Sequence, residues 1–319
     1  MTGICVRWSG LIAYGKITNE FNFFIMNNIN VVYIGNEPPF LEVIREHAQL
    51  TSVVCSRINS YKAKQFFGST YDYAKANSIS IINPENIYES LLDQATDLII
   101  VFGYGSRISN DILSIPKIAS LNIHQSLLPR YRGRHPLNWS IINGEAFTGV
   151  TIHHMNEHFD DGNIVLQEKL DILQTDNIMS LYKKTINAGI KLLAQTLNIL
   201  GTKIFEGRKQ NKELASYFPP RTPKDGRILW NNSSLSIYNM VRALTYPYPG
   251  AYFYYNKNKI IIEEIEIVDY TIEQQNEVRI GQPFFYRNQW YFRTATGFIK
   301  IKKIRNRRNF KLLQNIKRM

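Results

Sequence analysis

The first two thirds of the chain alternate between short apolar runs and segments whose apolar residues have helical spacing. Five apolar runs are predicted to form strands, at 29–35, 50–55, 79–82, 97–102 and 119–123. Four segments between them are predicted to form helices, at 40–49, 69–77, 87–94 and 108–113. Strands that alternate with helices predict an α/β fold with a doubly wound, mostly parallel sheet.

The pattern changes towards the end of the chain. Residues 148–155 alternate as a strand does, and 178–200 are predicted to form one long amphipathic helix that Gly201 ends. A polar segment rich in Lys, Arg and Pro, 207–225, is interpreted as a linker. Further short strands are predicted at 260–268, 278–286, 290–293 and 298–304. These elements predict a larger α/β domain at 26–206 and a smaller β domain with a basic tail at 226–319.

Residues 1–25 precede the first predicted strand, and we expect this extension to lie outside the fold. Arg7 interrupts its apolar stretch, so the segment lacks the order of a signal peptide. A misassigned start, with Met26 as the true first residue, is one interpretation. A short added arm is the other.

The composition excludes several classes of protein. With 319 residues, of which 44% are hydrophobic, the chain can bury a large core and is not disordered. Its two cysteines, Cys5 and Cys55, argue against a disulfide framework and fit a reducing cytoplasm. No apolar run reaches about 18 residues, so no membrane span is expected. No Cys or His cluster has zinc spacing, so no metal is expected.

The formal net charge is +12, and much of the excess lies near the end of the chain. The basic residues concerned are Lys302, Lys303, Arg305, Arg307, Arg308, Lys311, Lys317 and Arg318. Such a run usually forms a solvated face or tail. The functional alternative is that it attracts an anionic ligand, such as a nucleotide diphosphate, a polyglutamylated folate or an RNA backbone.

Candidate chemistry follows the fifth predicted strand. Asn122 and His124 are two residues apart, so their side chains leave a strand on the same side. Asp160 follows in a turn that Gly162 closes. Ligands of doubly wound sheets bind beyond the carboxyl ends of the strands. An amide donor, an imidazole and a carboxylate can stabilise an oxyanion and move protons in acyl transfer.

The pattern Asn-x-His-x-Ser-Leu-Leu-Pro-x-Tyr at 122–131, followed by Asp-x-Gly at 160–162, resembles the folate-dependent formyltransferases. The resemblance extends over 29–265. It implies 10-formyltetrahydrofolate as co-substrate, and a C-terminal open barrel similar to an OB-fold. No Gly-x-Gly-x-x-Gly follows the first strand, so a dinucleotide site lacks its phosphate cradle.

The resemblance also implies roles for the three candidate catalytic residues. Asn122 would donate to the oxyanion, and His124 would share that role and transfer protons. Asp160 would orient His124 or take the proton through water. The family's carboxylate lies two residues before the glycine, which selects Asp160 over Asp161. The second carboxylate is a departure from the family pattern.

Four residues are predicted to line the folate slot: Phe102, Tyr104, Ser126 and Asp161. Packing in the core is the alternative for the two aromatic rings, and solvent exposure is the alternative for Asp161. Of the adjacent His153 and His154, at most one can face the site, because they lie on a predicted strand. His135 and His158 are expected on the surface or in loops.

Further stretches resemble the nucleotide-sugar N-formyltransferases, above all the domain that acts on UDP-4-amino-4-deoxyarabinose. They are Arg132-Gly133-Arg134-x-Pro136-x-Asn138-Trp139, 221–223, Trp230, 239–243 and 248–251. The predicted acceptor-binding residues are Tyr131, Arg132, Tyr217, Arg221, Asn239 and Arg242. Both Arg221 and Arg242 could pair with a diphosphate, and Tyr217 or Phe218 could stack on a base.

Structural alternatives exist for these residues as well. Tyr131 and Arg132 could be loop anchors, and 239–242 could be a helix packed on the β domain. The printed chain has no dehydrogenase region after the β domain, so we expect a free-standing enzyme rather than a fused one.

The expected acceptor is dTDP-4-amino-4,6-dideoxyglucose or a 3-amino relative, used for a surface polysaccharide such as O-antigen lipopolysaccharide. The expected enzyme is cytoplasmic, and the resemblance implies a homodimer. Neither a membrane nor a nucleic acid is an expected partner. Three alternatives stay open: UDP-4-amino-4-deoxyarabinose as acceptor, a methionyl-tRNA formyltransferase, and a non-enzymatic module that kept the fold. The tRNA enzyme predicts a basic insertion after the second strand, and residues 56–68 are only modestly basic.

Overall fold

The computed structural model describes residues 29–55, 68–255, 257–268 and 278–305. It divides into two compact units. The first unit combines Met1–Pro129, Val150–Glu168 and Ile186–Ala215, and the second combines Arg130–Gly149, Lys169–Thr185 and Ser216–Met319. Each unit is thus assembled from separate stretches of sequence. The linear boundaries drawn above at 206 and 226 stay a prediction.

A seven-stranded sheet dominates the fold. Its strands are β1 (Asn30–Gly35), β2 (Gln49–Val54), β3 (Ser80–Ile82), β4 (Leu98–Phe102), β5 (Ala119–His124), β7 (Phe147–His154) and β8 (Ile164–Asp171). The order is β3-β2-β1-β4-β5-β7-β8. The first five strands pair in parallel, and β5 pairs with β7 in antiparallel fashion. The predicted doubly wound, mostly parallel sheet is therefore confirmed.

The centre of this sheet is a continuous apolar layer. Val31 to Ile34 on β1 and Leu98 to Phe102 on β4 are all at most 4% exposed. Parallel strands are covered on both faces, which is why these runs are apolar rather than alternating. The helix Pro39–His47 buries Phe40, Leu41, Val43 and Ile44, and a proline at its first position suits the fixed φ of a helix start.

Six further helices are described. Four of them were predicted, Thr70–Ala76, Ile87–Leu92, Asn110–Leu113 and Ile178–Asn198, and the other two are Pro136–Ile142 and Ser234–Ala243. Ser69 caps the first of these, because its side chain accepts a hydrogen bond from the Asp72 amide. Helix Pro136–Ile142 and strand β8 were not predicted. Only Ile164 and Val165 of β8 are buried and its other residues are half-exposed or exposed, so its apolar pattern is weak.

The second sheet has five antiparallel strands. They are β10 (Ala251–Tyr255), β11 (Asn258–Val268), β12 (Pro283–Tyr286), β13 (Gln289–Arg293) and β14 (Phe298–Ile304), in the order β10-β11-β14-β13-β12. The predicted C-terminal β architecture is confirmed. Strand β12 begins at Pro283 rather than at 278, and β10 was not predicted. Helix Ser234–Ala243 packs into the same core, where Trp230 stacks on Phe292 with ring centroids 4.4 Å apart.

A short parallel pair, β6 (Arg132–Gly133) with β9 (Tyr217–Phe218), completes the sheets of the second unit. It joins two segments that are far apart in sequence. A Cβ added at Gly133 would lie 2.5 Å from the Phe218 carbonyl oxygen, and the φ of Gly133 is +94°. Glycine is therefore required at this close approach of two backbones.

The basic strand β14 is neutralised in part by β11. Lys300 and Lys302 pair with Glu266, and Lys303 and Arg305 pair with Glu263, at distances of 2.9–3.2 Å. In the described part of the tail, the interpretation as a solvated face is therefore favoured. The predictions for residues 1–25, for the basic residues of 56–67 and for the tail beyond Arg305 lie outside the described residues. No helix in the described ranges is long and apolar enough to cross a membrane.

Candidate active site

The candidate catalytic residues meet at the carboxyl end of β5. Asn122 and His124 lie on this strand, and Asp160 lies in the turn between β7 and β8. The Asn122 amide nitrogen donates to Asp160 Oδ1 at 3.3 Å, and His124 Nδ1 lies 3.4 Å from the same oxygen. The side chains of His124 and Asp160 are 8% and 10% exposed. An amide, an imidazole and a carboxylate thus share a nearly dry site, in which each interaction is stronger than in water.

His153 is a fourth member of this site that the sequence did not identify. It lies opposite Asn122 in the β5–β7 pairing, and its Nε2 is 3.1 Å from the Asn122 amide nitrogen. Its Nδ1 lies 2.8 Å from the His154 carbonyl oxygen, which can only accept, so the proton is on Nδ1 and Nε2 accepts from Asn122. The neighbouring His154 instead contacts the Phe205 carbonyl through Nε2. Of the two histidines, His153 contacts the site.

The turn that carries Asp160 has two special backbone positions. Asp160 has a φ of 54°, a left-handed conformation that Asp tolerates better than most residues. A Cβ added at Gly162 would lie 1.9 Å from the His154 carbonyl oxygen. Only glycine lets the turn lie this close to β7, which gives the Asp-x-Gly pattern a physical reason.

The four residues predicted to line the folate slot differ in how far they are buried. Phe102 is 2% exposed and packs on Phe40 with centroids 4.7 Å apart, which favours the alternative of core packing. Ser126 is fully buried, and its carbonyl accepts from the Thr151 hydroxyl at 2.6 Å. Tyr104 and Asp161 are partly exposed. The role of all four residues in folate binding stays a prediction.

In the second unit, Tyr131 is an anchored loop residue. Its ring stacks on Phe218 at 4.6 Å, and its hydroxyl donates to Glu145 Oε1 at 2.6 Å. Burial, followed by the hydrogen bond to the Glu145 carboxylate, raises the pKa of Tyr131 to about 12. The left-handed φ of 59° holds the ring in this position. The structure favours the anchoring alternative for Tyr131.

Arg132 and Tyr217 form a pair across the β6–β9 ladder. Arg132 is 2% exposed, and its guanidinium donates to the Tyr217 hydroxyl at 2.5 Å and lies 5.3 Å from that ring. Tyr217 is 60% exposed. Phe218, in contrast, contacts both Tyr131 and Trp139, with centroids 4.6 and 5.2 Å away. Of the two predicted base-stacking residues, Tyr217 is therefore the one with an accessible ring.

Arg221 and His135 line one cavity of the second unit. The cavity has a volume of about 130 Å³ and is partly open to solvent, and Asn138, Thr222 and Tyr248 also line it. The Arg221 guanidinium lies 4.6 Å from the Trp139 ring, and its backbone amide donates to His135 Nδ1 at 3.0 Å. Burial, and then the charges of Arg134 and Arg221, lower the pKa of His135. His135 is half-buried in this wall, while His158 is exposed as expected.

Arg242 binds the protein's own backbone and the Asn239 side chain. Arg242 Nε donates to the Asn239 side chain at 2.9 Å, and its Nη1 donates to the carbonyls of Leu173 and Asp176 at 3.0 and 2.8 Å. Asn239 is 4% exposed. These contacts favour the alternative that 239–242 is a packing helix, so Arg221 is the better diphosphate candidate of the two arginines. Within the residues that the structure describes, no group of three His, Cys, Asp or Glu side chains could hold a metal.

Two family models match the chain. The model described as formyl transferase matches residues 43–197, and the model described as formyl transferase, C-terminal domain, matches residues 221–314. The bifunctional polymyxin resistance protein ArnA of Wigglesworthia glossinidia brevipalpis is 42% identical over 225 residues. That match covers 69% of this chain and 34% of the relative, so the chain spans about a third of the length of that protein.

Two solved structures have a similar fold. One is an N-formyltransferase from Helicobacter canadensis in complex with folinic acid and dTDP-3-aminofucose, with a TM-score of 0.69, 23% identity, and coverage of 86% of this chain and 100% of that one. The other is a 4-N formyltransferase from Francisella tularensis, with a TM-score of 0.59, 21% identity, and coverage of 72% and 95%. At these identities the likeness shows the fold alone.

Proposed function

The chain belongs to the formyl transferase family, and from that membership we propose that it is a nucleotide-sugar N-formyltransferase. It would move the formyl group of 10-formyltetrahydrofolate to the amine of a nucleotide-linked amino sugar. The observation that carries the proposal is the contact of Asn122 and His124 with one oxygen of Asp160, at 3.3 and 3.4 Å. The donor set fits acyl transfer to an amine, which needs an oxyanion donor and a route for a proton.

10-Formyltetrahydrofolate, when bound, supplies the formyl carbon. In the transfer, a bond forms between this carbon and the amine nitrogen, and the bond to N10 of the folate breaks. One proton leaves the amine and one is delivered to N10, so the reaction needs no other reactant. His124 takes the proton of the amine, and Asp160 holds the imidazole in place and stabilises its charged form.

Asn122 is the proposed donor to the negative charge on the formyl oxygen. One of its two amide hydrogens is directed to His153 Nε2 at 3.1 Å. The other is directed to Asp160 at 3.3 Å, the longer of the two contacts. This second hydrogen is the one that can turn towards a developing oxyanion, while His153 keeps the amide oriented.

Three observations in the second unit support a nucleotide-linked acceptor. Tyr217 presents an exposed ring that the buried Arg132 guanidinium supports, which suits stacking on a base. Arg221 lines a cavity and lies over Trp139, which suits a phosphoryl group. Both solved structures are named as N-formyltransferases, and one of them is in complex with dTDP-3-aminofucose. The specific acceptor that we propose is dTDP-4-amino-4,6-dideoxyglucose, in a cytoplasmic pathway for surface polysaccharide.

The test is an assay with 10-formyltetrahydrofolate and four acceptors, read by mass spectrometry for a product heavier by one formyl group. The acceptors are dTDP-4-amino-4,6-dideoxyglucose, its 3-amino relative, UDP-4-amino-4-deoxyarabinose and methionyl-tRNA. We expect a formylated sugar nucleotide. Formylation of methionyl-tRNA alone would overturn the sugar assignment, and no product from any acceptor would overturn the proposed activity.

The catalytic roles are tested by two substitutions. His124→Ala and Asp160→Asn should each remove most turnover and leave the dissociation constant of the nucleotide sugar nearly unchanged, because both residues act on the transferring group. Isothermal titration with the acceptor and single-turnover kinetics measure the two quantities separately. Weak acceptor binding with a normal rate of transfer would contradict the assignment.

A further inference from the structure

Gln210 belongs to the segment that the sequence pattern marks as a linker, yet its side chain contacts the turn that carries Asp160. Its carboxamide nitrogen donates to the carbonyl oxygens of Asp160 and Gly162, both at 2.8 Å. Two carbonyl oxygens facing one atom identify that atom as the amide nitrogen, because the amide oxygen would be repelled by both. Both hydrogens of the carboxamide are therefore used on the same turn.

The backbone on either side of Gln210 is itself fixed. Ile164 and Arg208 exchange two backbone hydrogen bonds of 2.8 and 2.9 Å. The Asn163 side chain donates to the Glu206 carbonyl at 3.2 Å. On the other side, Asn211 caps the short helix Lys212–Leu214 by accepting from the Glu213 amide. The backbone hydrogen bonds of Arg208 and the contact of Glu206 thus fix the position of the segment that carries Gln210.

We propose that Gln210 is a positioning residue of the catalytic centre, acting through Asp160; this inference rests on the proposed function. Asp160 has a left-handed φ, and its carboxylate must stay within hydrogen-bond distance of Asn122 and must remain beside His124. The two hydrogen bonds from Gln210 hold the carbonyls of Asp160 and Gly162, and so fix the turn where the carboxylate contacts both partners. Released from them, the turn can move, and a displacement of 1 Å in a catalytic group costs about 100-fold in rate.

The first test uses two substitutions that keep the size of the side chain. Gln210→Met removes both donors, and Gln210→Glu replaces them with oxygens that repel the two carbonyls. We expect kcat to fall about 100-fold in Gln210→Met and at least as far in Gln210→Glu, with KM for both substrates close to wild type. Gln94→Met is the matched control, because it makes the same change at a carboxamide that hydrogen-bonds to the Ser52 hydroxyl on β2, and its kcat should not change. Equal losses of kcat in Gln210→Met and in the control would overturn the proposal.

A double-mutant cycle separates positioning from general loss of structure. If Gln210 acts through Asp160, the variant with both Gln210→Met and Asp160→Asn should turn over as slowly as Asp160→Asn alone. Effects that multiply would show that Gln210 acts by another route, and would overturn the proposal.

We call the two hydrogen bonds from Gln210 to the carbonyls of Asp160 and Gly162 the clamp. Amide hydrogen exchange tests this clamp without any assay of formyl transfer. Loss of two hydrogen bonds should speed exchange at residues 160–162 about tenfold in Gln210→Met, with little change in the strands. Unchanged exchange would overturn the clamp even in an active enzyme. Faster exchange in a protein that does not formylate any acceptor would support the clamp and contradict only the proposed function.

Discussion

Gly162→Ala is a one-carbon change whose effect follows from one contact. The added Cβ would lie 1.9 Å from the carbonyl oxygen of His154 and 2.7 Å from its carbon, whereas Cβ atoms essentially never approach closer than 3.0 Å. The turn or the end of β7 must therefore move by about 1.1 Å. The hydrogen bond from the His154 amide to the Asn163 carbonyl, 2.9 Å long, opposes that movement.

The same displacement reaches the candidate catalytic carboxylate, because Asp160 is two residues away in the turn. The contacts of Asp160 with Asn122 and His124, at 3.3 and 3.4 Å, are already near the upper limit for a hydrogen bond, so a movement of this size would break them. We expect kcat to fall about 100-fold, since such misplacement costs that much in other enzymes. Overpacking should also lower the free energy of unfolding by about 1–3 kcal/mol.

The assay combines steady-state turnover of the formylated acceptor with urea unfolding. Gly201→Ala is the control: its φ of +77° makes a Cβ strained, but no atom lies within 4 Å of the added carbon. That variant should lose about 1–2 kcal/mol of stability from the left-handed backbone and keep its turnover. A folded Gly162→Ala protein with wild-type kcat would refute the reasoning, because the turn would then tolerate the movement or Asp160 would not act in the reaction.

Three further predictions concern single residues. Asn122→Ala should lower kcat about 100- to 1000-fold, and a smaller loss in single-turnover assays would argue against an oxyanion donor. Asp176→Ala should lower the free energy of unfolding by about 1–3 kcal/mol, because the buried Asp176 carboxylate accepts from Leu173 and Ser180 and pairs with Lys184 at 2.6 Å. An unchanged midpoint of urea unfolding would contradict this prediction. Burial lowers the pKa of His135 in the folded state, so the unfolded chain binds a proton at this residue more readily. The free energy of unfolding should therefore fall as the pH drops through about 6.5. His135→Gln should remove that part of the pH dependence between pH 8 and 5, and parallel curves would show that His135 does not contribute.

Much of the first unit was readable from local pattern. Apolar runs such as 97–102 predict buried parallel strands, and the spacing of Asn122 and His124 fixes their common side, because side chains alternate along a strand. The Asp-x-Gly pattern of the sequence identifies Asp160. The structure gives the physical reason for the glycine in this pattern, because the turn leaves no room for a Cβ at Gly162. Strand β8 escaped this kind of analysis because its second half is mostly half-exposed or exposed.

The tertiary structure decided which side chains support the site. His153 is a neighbour of Asn122 only through the antiparallel β5–β7 register, and Gln210 reaches the turn of Asp160 across 50 residues of sequence. It also decided which predicted ligand-binding side chains contact the protein itself: Phe102 packs on Phe40, and Arg242 donates to the carbonyls of Leu173 and Asp176. Sequence by itself determined the five parallel strands, the common side of Asn122 and His124 on β5, and the three chemical groups at the site. Burial and hydrogen-bond partners depend on contacts between distant segments, and those are set only when the chain closes on itself.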